Sequence, residues 1–267
     1  MSRSKGTVLI TGASSGIGAV YADRFAGRGH DLILVARNRA RLATIAARIA
    51  ERHRVEARLI AADLTERAGL AEIEAVLKSD ESITHLVNNA GFGSAAPLAA
   101  ASVDEMERMV AINVTAPLRL GYAAVPQFTA RGEGTIINIS SIAAIGPEIL
   151  NGVYGGTKSF VLAFSQSLRK ELKDTGVRVQ VVLPGATATE FWDVAGLPAS
   201  NLPKEWVMSA ADLVDAALRG LDRGEFATIP SLMDVAEWDA FEAARQTMLP
   251  HLSSAVPAAR YRVPETV

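Results

Sequence analysis

The chain alternates short runs of aliphatic and β-branched residues with longer amphipathic segments over about its first two thirds. This alternation is typical of βα units, in which each strand of a parallel sheet is followed by a helix. The runs TVLI, LILV and VQVVL are apolar at consecutive positions, which indicates strands that helices cover on both faces. We therefore predict an α/β fold built on a doubly wound parallel sheet of about seven strands, with helices on both faces.

The periodicity also predicts the individual elements. Strands are predicted at residues 7–11, 31–36, 56–62, 85–88, 134–140, 177–183 and 226–230. Helices are predicted at residues 16–28, 39–52, 66–78, 103–130, 153–175 and 210–223, with a further helix at 233–249. Residues 1–267 are predicted to form one Rossmann-like domain, because parallel α/β units of ~250 residues commonly form a single domain.

Two parts of the last third depart from the pattern. From about residue 187 to 208 the periodicity fails, and Gly196, Pro198 and Pro203 lie among bulky apolar residues. A loop of that length in a compact domain is usually functional, so we predict a substrate-side loop there. Residues from about 231 to 267 are predicted to form a C-terminal extension that ends in an irregular tail with several prolines.

Composition and charge exclude several classes of protein. The chain is 49% hydrophobic, which predicts a compact core. Its net charge of -2 predicts no overall electrostatic field that attracts nucleic acid or an anionic membrane. Its longest uncharged stretch, 86–103, contains Asn, Gly and Pro residues and is not a membrane span. The first apolar run stops at Thr11, too early for a signal peptide. Cysteine is absent, which excludes disulfides and suits a reducing compartment, so we expect a cytoplasmic protein.

A glycine-rich turn, TGASSGIG, follows the first predicted strand and leads into a predicted helix. Gly12, Gly16 and Gly18 allow a sharp turn and bring backbone N–H groups, at the positive end of the helix, close to an anion. Three residues separate Gly12 from Gly16, so the spacing differs from the usual G-x-G-x-x-G fingerprint. Taken alone, the turn fits either a phosphate cradle or a tight βα connection.

Tyr154 and Lys158 are four residues apart near the start of a predicted helix, so both side chains project from one face. An unperturbed tyrosine has a pKa of ~10, and a neighbouring ammonium group is expected to lower it. Ser141 follows a predicted strand, at the sheet edge where open α/β folds bind their ligands. An isolated Tyr-x-x-x-Lys pair is more often a surface feature of an amphipathic helix.

Together these motifs resemble the classical short-chain dehydrogenase/reductase family, whose hallmark TGxxxGxG matches the glycine-rich turn. The family's further motifs follow in order at Asp63, the Asn-Asn-Ala-Gly run that ends at Gly91, Asn113, Ser141, Tyr154 with Lys158, and Pro184 with Gly185. The resemblance covers about residues 7–230, and this joint occurrence is far more specific than any single motif. It implies hydride transfer between a nicotinamide cofactor and a carbon that bears oxygen.

The resemblance also implies a role for each catalytic residue. Ser141 hydrogen-bonds the carbonyl or hydroxyl oxygen of the substrate while Tyr154 transfers the proton. Lys158 holds the nicotinamide ribose, and Asn113 supports a water and proton path to that lysine. Ser140 is interpreted as structural, because the family's spacing of serine to tyrosine selects Ser141.

A cofactor site follows from the same resemblance. The phosphate cradle is expected at Gly12, Ser14, Ser15, Gly16, Ile17 and Gly18. Asp63 is expected near the adenine, Asn89 and Gly91 near the adenosine ribose, and Thr187 near the carboxamide. Further contacts are expected from Leu64, Ala90, Pro184 and Gly185, and from the side chains of Tyr154 and Lys158.

The end of the second predicted strand indicates NADP(H) rather than NAD. A cofactor without the extra phosphate is generally held by an Asp or Glu at this place, but Ala36 stands there and Arg37 follows. Arginine donates paired hydrogen bonds to phosphate, so Arg37 is the first candidate, with Asn38 and Arg41 as helpers. Arg39 and Arg41 also fit a solvated helix start.

The sequence constrains the identity of the substrate less than that of the cofactor. Bulky apolar residues fall in segments that border the active site in such folds: Phe92, Ile142, Ile145, Leu150, Phe191, Trp192, Leu197 and Trp206. They predict an apolar pocket for a small or medium carbonyl or alcohol, and fit a core or a subunit interface equally well. The expected activity is that of a carbonyl reductase; the alternative is a dinucleotide-binding regulator without turnover.

Two expectations concern assembly and metals. The family usually pairs its long helices between subunits, and the predicted helix 153–175 offers Phe160, Val161, Phe164 and Leu168, so we expect a homodimer or homotetramer. This apolar stripe also fits a face that covers the sheet. The four histidines are dispersed without partners at ligand spacing, so no metal site is expected.

Overall fold

The computed structural model describes residues 5–262, and a parallel sheet forms the centre of that range. In chain order the strands are β1 (Thr7–Thr11), β2 (Asp31–Ala36), β3 (Ala57–Ala61), β4 (Ile83–Asn88), β5 (Gly134–Ile139), β6 (Val177–Val182), β7 (Thr187–Ala188), β8 (Met208–Ser209) and β9 (Ala227–Thr228). The main sheet has seven strands in the order β3-β2-β1-β4-β5-β6-β9, while β7 and β8 pair separately. The predicted α/β fold is confirmed.

Helices connect the strands. They are α1 (Gly16–Gly27), α2 (Arg39–Arg52), α3 (Arg67–Ser79), α4 (Val103–Val110), α5 (Ala116–Arg131), α6 (Gly152–Glu171), α7 (Phe191–Val194), α8 (Ala210–Asp222) and α9 (Val235–Met248). Short 3₁₀ turns lie at Leu98–Ala100, Ile142–Ala144, Pro147–Ile149, Ala199–Asn201, Lys204–Trp206, Leu249–His251 and Ala259–Tyr261. The alternation of strands and helices agrees with the predicted βα units.

The sheet is buried on both faces, as its apolar strands predict. Along β1, Val8 and Ile10 pack into one apolar cluster, which also contains residues of α1, α2 and α8. Leu9 points the opposite way into a second cluster, with residues of α3, α5 and α6. Successive strand residues face opposite sides of a sheet, so this alternation shows a helical layer on each face.

The order of the strands reverses beside β1. From β1 the chain moves to β2 and β3 on one side, and β4, β5 and β6 then follow on the other. Ligands of open α/β sheets bind in the crevice outside the carboxyl ends of the strands at such a switch point. The fold therefore places a crevice between the residues that follow β1 and β4.

The predicted helix over 103–130 is interrupted. A π turn at Ala111–Thr115 joins α4 to α5. A π turn holds one extra residue per turn and keeps the chain helical, so apolar periodicity does not reveal it. Helix α5 continues through Pro126, and α6 ends at Glu171, four residues before its predicted end at 175.

The four apolar residues predicted to form a stripe on α6 are in part buried and in part exposed. Val161 and Leu168 are buried, and Leu168 belongs to the cluster beneath the sheet. Phe160 and Phe164 are partly exposed and stack with ring centroids 5.7 Å apart. The inward half of the stripe therefore covers the sheet, and the two phenylalanines remain the candidates for a subunit contact.

Two histidines that the sequence separates lie together in the structure. The rings of His30 and His85 have centroids 4.9 Å apart, and both rings contact Phe25. Burial lowers the pKa of His85 to about 3, and it also lowers the pKa of His30. Both side chains are therefore neutral packing residues at neutral pH.

The chain divides into two compact units at Ser231 and Leu232. The second unit contains α9, in which no residue is buried. The prediction of one domain with a C-terminal extension remains a prediction. No helix within residues 5–262 has both the length and the apolar character that crossing a membrane requires.

Candidate active site

The glycine-rich turn between β1 and α1 leaves no room for side chains at two of its glycines. Gly12 has φ of 67°, and a Cβ there would lie 2.7 Å from Asn89 Nδ2. A Cβ on Gly18 would lie 2.3 Å from the Gly12 carbonyl oxygen. No side-chain cap occupies the start of α1, so its first backbone N–H groups are free of such a partner. This turn fits a phosphate group held by backbone N–H groups.

A single hydroxyl ties this turn to the end of β4. Thr11 Oγ1 donates to the Val87 carbonyl at 3.2 Å and accepts from the backbone N–H groups of Asn89 and Ala90, each at 3.0 Å. The Asn89 side chain donates to the carbonyls of Thr11 and Gly12 at 2.9 and 3.2 Å. The predicted binding residues Asn89 and Ala90 therefore also build the turn. Thr11, the first residue of TGxxxGxG, anchors it, a role that was not predicted.

Charged residues gather where β2 and β3 end. We call Arg37 and Arg41, together with Arg108 of α4, the arginine side of the cavity, because all three line it and Arg37 and Arg108 both act on Asp63. Asp63 is partly buried, which opposes its ionisation. Hydrogen bonds from Thr65 and the charges of Arg37 and Arg108 outweigh that effect and lower its pKa.

The two predicted helpers of Arg37 have protein partners in the structure. The Asn38 side chain accepts from the backbone N–H of Arg41 at 3.0 Å and so caps α2. The guanidinium of Arg41 forms an ion pair with Glu190 at 2.6 Å. Arg37 is exposed and lines the cavity.

The three residues of the tyrosine side, which we define as Ser141, Tyr154 and Lys158, lie beyond β4 in the strand order. Their exposed fractions are 8%, 5% and 6%. The Ser141 side chain interacts with the Tyr154 hydroxyl and favours ionisation of that phenol, so the two groups are neighbours. Lys158 Nζ donates to the Ile139 carbonyl at 3.0 Å and lies 5.8 Å from the centroid of the Tyr154 ring. A serine hydroxyl, a phenol and an ammonium group thus share one buried corner.

The pKa of Tyr154 differs from the sequence-based expectation. Burial raises it to about 12, and the neighbouring Ser141 side chain lowers it by a smaller amount. The expectation that Lys158 would lower this pKa below ~10 was therefore wrong, because desolvation of the phenolate is the larger effect. Burial also lowers the pKa of Lys158 to about 8. At neutral pH the phenol carries its proton and can donate it.

Asn113 lies on the π turn, behind the cavity wall. Its Oδ1 accepts from the backbone N–H of Phe92 at 3.2 Å, and its Nδ2 donates to the Phe92 carbonyl at 2.9 Å. Nδ2 also donates to Thr157 Oγ1 at 3.0 Å, and Thr157 Oγ1 donates to the Tyr154 carbonyl at 2.8 Å. Asn113 therefore joins the loop after β4 to the helix that carries the tyrosine. Thr157 has no recognisable sequence signal for this role.

The backbone around the catalytic helix is supported in the same way. Ser140 Oγ donates to the Lys158 carbonyl at 2.8 Å, a structural contact of the kind expected for this serine. The Pro184 carbonyl accepts from the backbone N–H of Ile142 at 3.0 Å. Thr187 Oγ1 donates to the Gly185 carbonyl at 3.1 Å. The segments that follow β5 and β6 are thereby fixed to each other.

Nearly all predicted site residues line one cavity of about 1590 Å³. These residues are Gly12, Ser14, Ser15, Gly16, Ile17, Arg37, Asn38, Arg41, Asp63, Leu64, Asn89, Ala90, Gly91, Ser141, Tyr154, Lys158, Pro184, Gly185 and Thr187. Gly18 and Asn113 are buried behind it. Single ligands usually occupy ~300–1,000 Å³, so a dinucleotide and a second molecule fit together.

Most of the predicted apolar residues line the same cavity, namely Phe92, Ile142, Leu150, Phe191, Trp192, Leu197 and Trp206. Ile145, which directly follows the 3₁₀ turn at Ile142–Ala144, does not belong to the lining and is 40% exposed. Further apolar residues of the lining were missed, among them Ile149, Val194, Leu202, Val207 and Met208. They lie in very short elements or in the turns between them, where periodicity gives no orientation.

The topology separates the two sides of the cavity. Arg37 follows β2, whereas Ser141 follows β5, and β1 and β4 lie between these strands. Three strand spacings of ~4.8 Å place the two sides roughly 14 Å apart. The glycine-rich turn lies between them, after β1. An extended dinucleotide whose phosphates contact this turn would span both sides.

Comparisons with known proteins agree with this arrangement. The family model for short chain dehydrogenases matches residues 6–196. A short-chain dehydrogenase from Sphingobium yanoikuyae, solved in complex with NADPH, is 47% identical; the match covers 96% of this chain and 100% of that one, with a TM-score of 0.94. The bulky-bulky ketone specific alcohol dehydrogenase from Comamonas testosteroni is 43% identical over 98% of this chain and 100% of that one, with a TM-score of 0.90.

A curated relative extends the comparison to a different substrate. Serine 3-dehydrogenase from Agrobacterium fabrum is 37% identical over 188 residues, which is 70% of this chain and 74% of the relative. The glycine-rich turn, the buried Ser141, Tyr154 and Lys158, and the family match agree with one another. The chain belongs to the short-chain dehydrogenase/reductase family and is an oxidoreductase of that family.

Proposed function

We propose that the protein is an NADP(H)-dependent carbonyl reductase that acts through Asn113, Ser141, Tyr154 and Lys158. One observation carries the proposal: the side chains of Ser141 and Tyr154 lie together beside Lys158, in the cavity that the glycine-rich turn also lines. Such a pair of hydroxyls can bind one carbonyl oxygen. A bound reduced nicotinamide supplies the hydride.

The protein residues handle the oxygen and the proton. Ser141 donates a hydrogen bond to the carbonyl oxygen as negative charge develops there. Tyr154 transfers its phenolic proton to that oxygen, which completes the conversion of the ketone to an alcohol. Lys158, charged below a pKa of about 8, stabilises the phenolate that Tyr154 leaves behind. Asn113 positions the helix that carries both groups, through Thr157.

The NADP(H) preference rests on the end of β2. Ala36 and Arg37 line the cavity where a cofactor without the extra phosphate would need an acidic residue. The exposed guanidinium of Arg37 is suited to paired hydrogen bonds with a phosphate. The Sphingobium neighbour, solved with NADPH, supports the same preference.

The substrate that fits best is a ketone with two uncharged, apolar substituents. The cations that line the cavity within residues 5–262 are the three arginines of the arginine side and Lys158. Lys158 is buried and already donates to the Ile139 carbonyl, so a carboxylate or phosphate on the substrate would lack a partner near Tyr154. The Comamonas neighbour is described as specific for bulky-bulky ketones, which agrees with an apolar pocket.

A matched pair of substrates tests the proposal. Methyl 4-benzoylbenzoate and 4-benzoylbenzoate share the same diaryl ketone and differ in one remote charge. We expect NADPH-dependent reduction of the ester, and a kcat/KM for the acid at least ~tenfold lower because a buried anion would be unpaired. Absence of turnover with any ketone or aldehyde would refute the reductase, and equal use of ester and acid would refute the charge argument.

We also propose a homodimer or homotetramer. Phe160 and Phe164 stack on α6, and Tyr122 on α5 is 72% exposed. Light scattering at working concentration should give a multiple of the 28.2 kDa chain mass. A mass equal to one chain would contradict the proposal.

A further inference from the structure

An ion pair at the rim of the cavity joins two elements that lie 149 residues apart. Arg41 belongs to the first turn of α2, and Glu190 directly precedes α7. Arg41 Nη1 lies 2.6 Å from Glu190 Oε2, with side-chain exposures of 52% and 57%. We call this pair the clasp. It connects the arginine side to the wall of the tyrosine side.

The segment that ends in Glu190 lies against the glycine-rich turn. We call residues 187–191 the strap. A Cβ built on Gly16 would lie 3.1 Å from Thr189 Cγ2, so the strap contacts the turn where α1 begins. Thr187, Thr189, Glu190 and Phe191 all line the cavity. The strap therefore runs beside the position where the phosphates of a bound dinucleotide would lie.

The other end of the strap reaches the catalytic residues. The ring of Phe191 lies 5.7 Å from the ring of Tyr154, centroid to centroid. A Cβ built on Gly93 would lie 2.5 Å from Phe191 Cζ, so the ring also fills the space beside the loop after β4. Glu190 and Phe191 are consecutive residues. A change in the position of Glu190 is thus transmitted directly to the side chain beside Tyr154.

We propose that the clasp holds the strap closed over the bound cofactor, so that Arg41 and Glu190 are positioning residues for both cofactor and carbonyl substrate. The proposal rests on the assignment of the cavity to a nicotinamide cofactor under the proposed function. It gives Arg41 a role other than recognition of the ribose phosphate. Arg41 then acts equally on NADPH and NADH, whereas Arg37 discriminates between them.

The electrostatics of the strap explain why Glu190 needs a cationic partner if it is to hold the strap in place. Glu190 brings a carboxylate into a cavity that is expected to receive an anionic cofactor. Like charges in one site disfavour each other, and Arg41 removes that repulsion by neutralising Glu190. Both side chains are about half exposed, so salt screens the pair and its effect is small.

The test measures cofactor binding without turnover. Reduced-nicotinamide fluorescence gives the dissociation constants and dissociation rates of NADPH and NADH for wild type, Arg41→Gln, Glu190→Gln and the double variant. We expect each single variant to release both cofactors about two- to fivefold faster, and the double variant to be no worse than either, because one interaction is lost in all three. The difference in dissociation rate between the variants and the wild type should vanish at high salt.

Two control variants match the chemistry of the substitutions. Arg39→Gln changes an exposed arginine of α2 that does not line the cavity, and Asp193→Asn changes an exposed acid of α7. Neither should change cofactor release. The clasp variants should also raise the KM for a ketone about twofold or more while kcat changes less, because Phe191 is held less firmly beside Tyr154.

Three outcomes would overturn the clasp. If Arg41→Gln weakened the binding of NADPH but not that of NADH, Arg41 would be a ligand of the ribose phosphate. Additive effects in the double variant would show that the two residues act independently. Faster cofactor release in only one of the two single variants would also show that Arg41 and Glu190 act independently. A wild type that binds NADPH but reduces no carbonyl compound would refute the proposed function and leave the binding test of the clasp intact.

Discussion

The two sides of the cavity hold their functional groups in opposite ways. On the tyrosine side, each of the three side chains is more than nine-tenths buried, and those of Ser141 and Lys158 form hydrogen bonds with backbone groups. On the arginine side, all three guanidinium groups belong to residues that are exposed to solvent. Buried polar groups in a low dielectric interact strongly and are costly to leave unpaired, whereas exposed charges are screened.

This difference indicates which side of the cavity determines the chemical step and which determines the choice of cofactor. Under the proposed function, the chemical step depends on groups that the core holds in one arrangement, so a change there should alter the rate by orders of magnitude. The proposed cofactor choice depends on exposed groups, so a change there should alter affinity by smaller factors. Substitutions on the two sides can therefore be compared directly, since both line one cavity.

The largest effect is expected for Tyr154→Phe. This change removes only the hydroxyl that delivers the proton, so kcat should fall by ~10²- to 10⁴-fold while the dissociation constant of NADPH stays within about twofold. Stopped-flow reduction of a ketone and fluorescence titration of NADPH measure the two quantities. A folded Tyr154→Phe protein with near wild-type turnover would remove Tyr154 from the mechanism.

The next effect is expected for Arg37→Asp. Loss of a charge-assisted contact of about 1.5–3 kcal/mol should lower the ratio of kcat/KM with NADPH to kcat/KM with NADH by about ten- to a hundredfold. Arg39→Asp is the matched control, because Arg39 is exposed nearby but does not line the cavity. An unchanged ratio in Arg37→Asp, or a wild type that prefers NADH, would contradict the assignment.

The tyrosine side should also set the alkaline limit of reduction. Lys158 loses its charge as the pH rises through about 8, while Tyr154 keeps its proton up to about 12. The rate of ketone reduction should therefore fall above pH 8, by about tenfold at pH 9 if the charged lysine is required. A pH profile of kcat/KM measures this. A rate that stays constant to pH 10 would exclude a role for the lysine charge.

The smallest effect on turnover is expected from the buried histidines, which act on stability. The pKa of His85 is about 3 in the folded chain and ~6.5 when unfolded, so the unfolded state binds more protons between these values. Stability should therefore fall on acidification, by about 2 kcal/mol between pH 7 and pH 5 from this group alone. Denaturant unfolding of wild type and His85→Phe at both pH values tests this, and parallel losses in the two proteins would contradict it.

The parts of the structure that could be predicted are those with local causes. Strands β1 and β2 match their predicted ends because polar or glycine residues bound each apolar run. The π turn was missed because its apolar residues keep the helical pattern. Thr157 and Glu190 were missed because their contacts join residues distant in sequence. The prediction of a lowered pKa for Tyr154 was wrong because sequence spacing contains no information on burial.

The Thr11 hydroxyl, with its three backbone partners, sets a mechanical property of the crevice. It bridges β1 and β4 at the point where the sheet would otherwise open, so the width of the slot is fixed by hydrogen-bond lengths. Valine has the same shape but would leave two N–H groups without their acceptor, so even an isosteric replacement would loosen the slot. One wall of the cavity is thus rigid. Under the proposed clasp, the movement that admits and releases ligands comes instead from the segment after β6, which lines the same cavity.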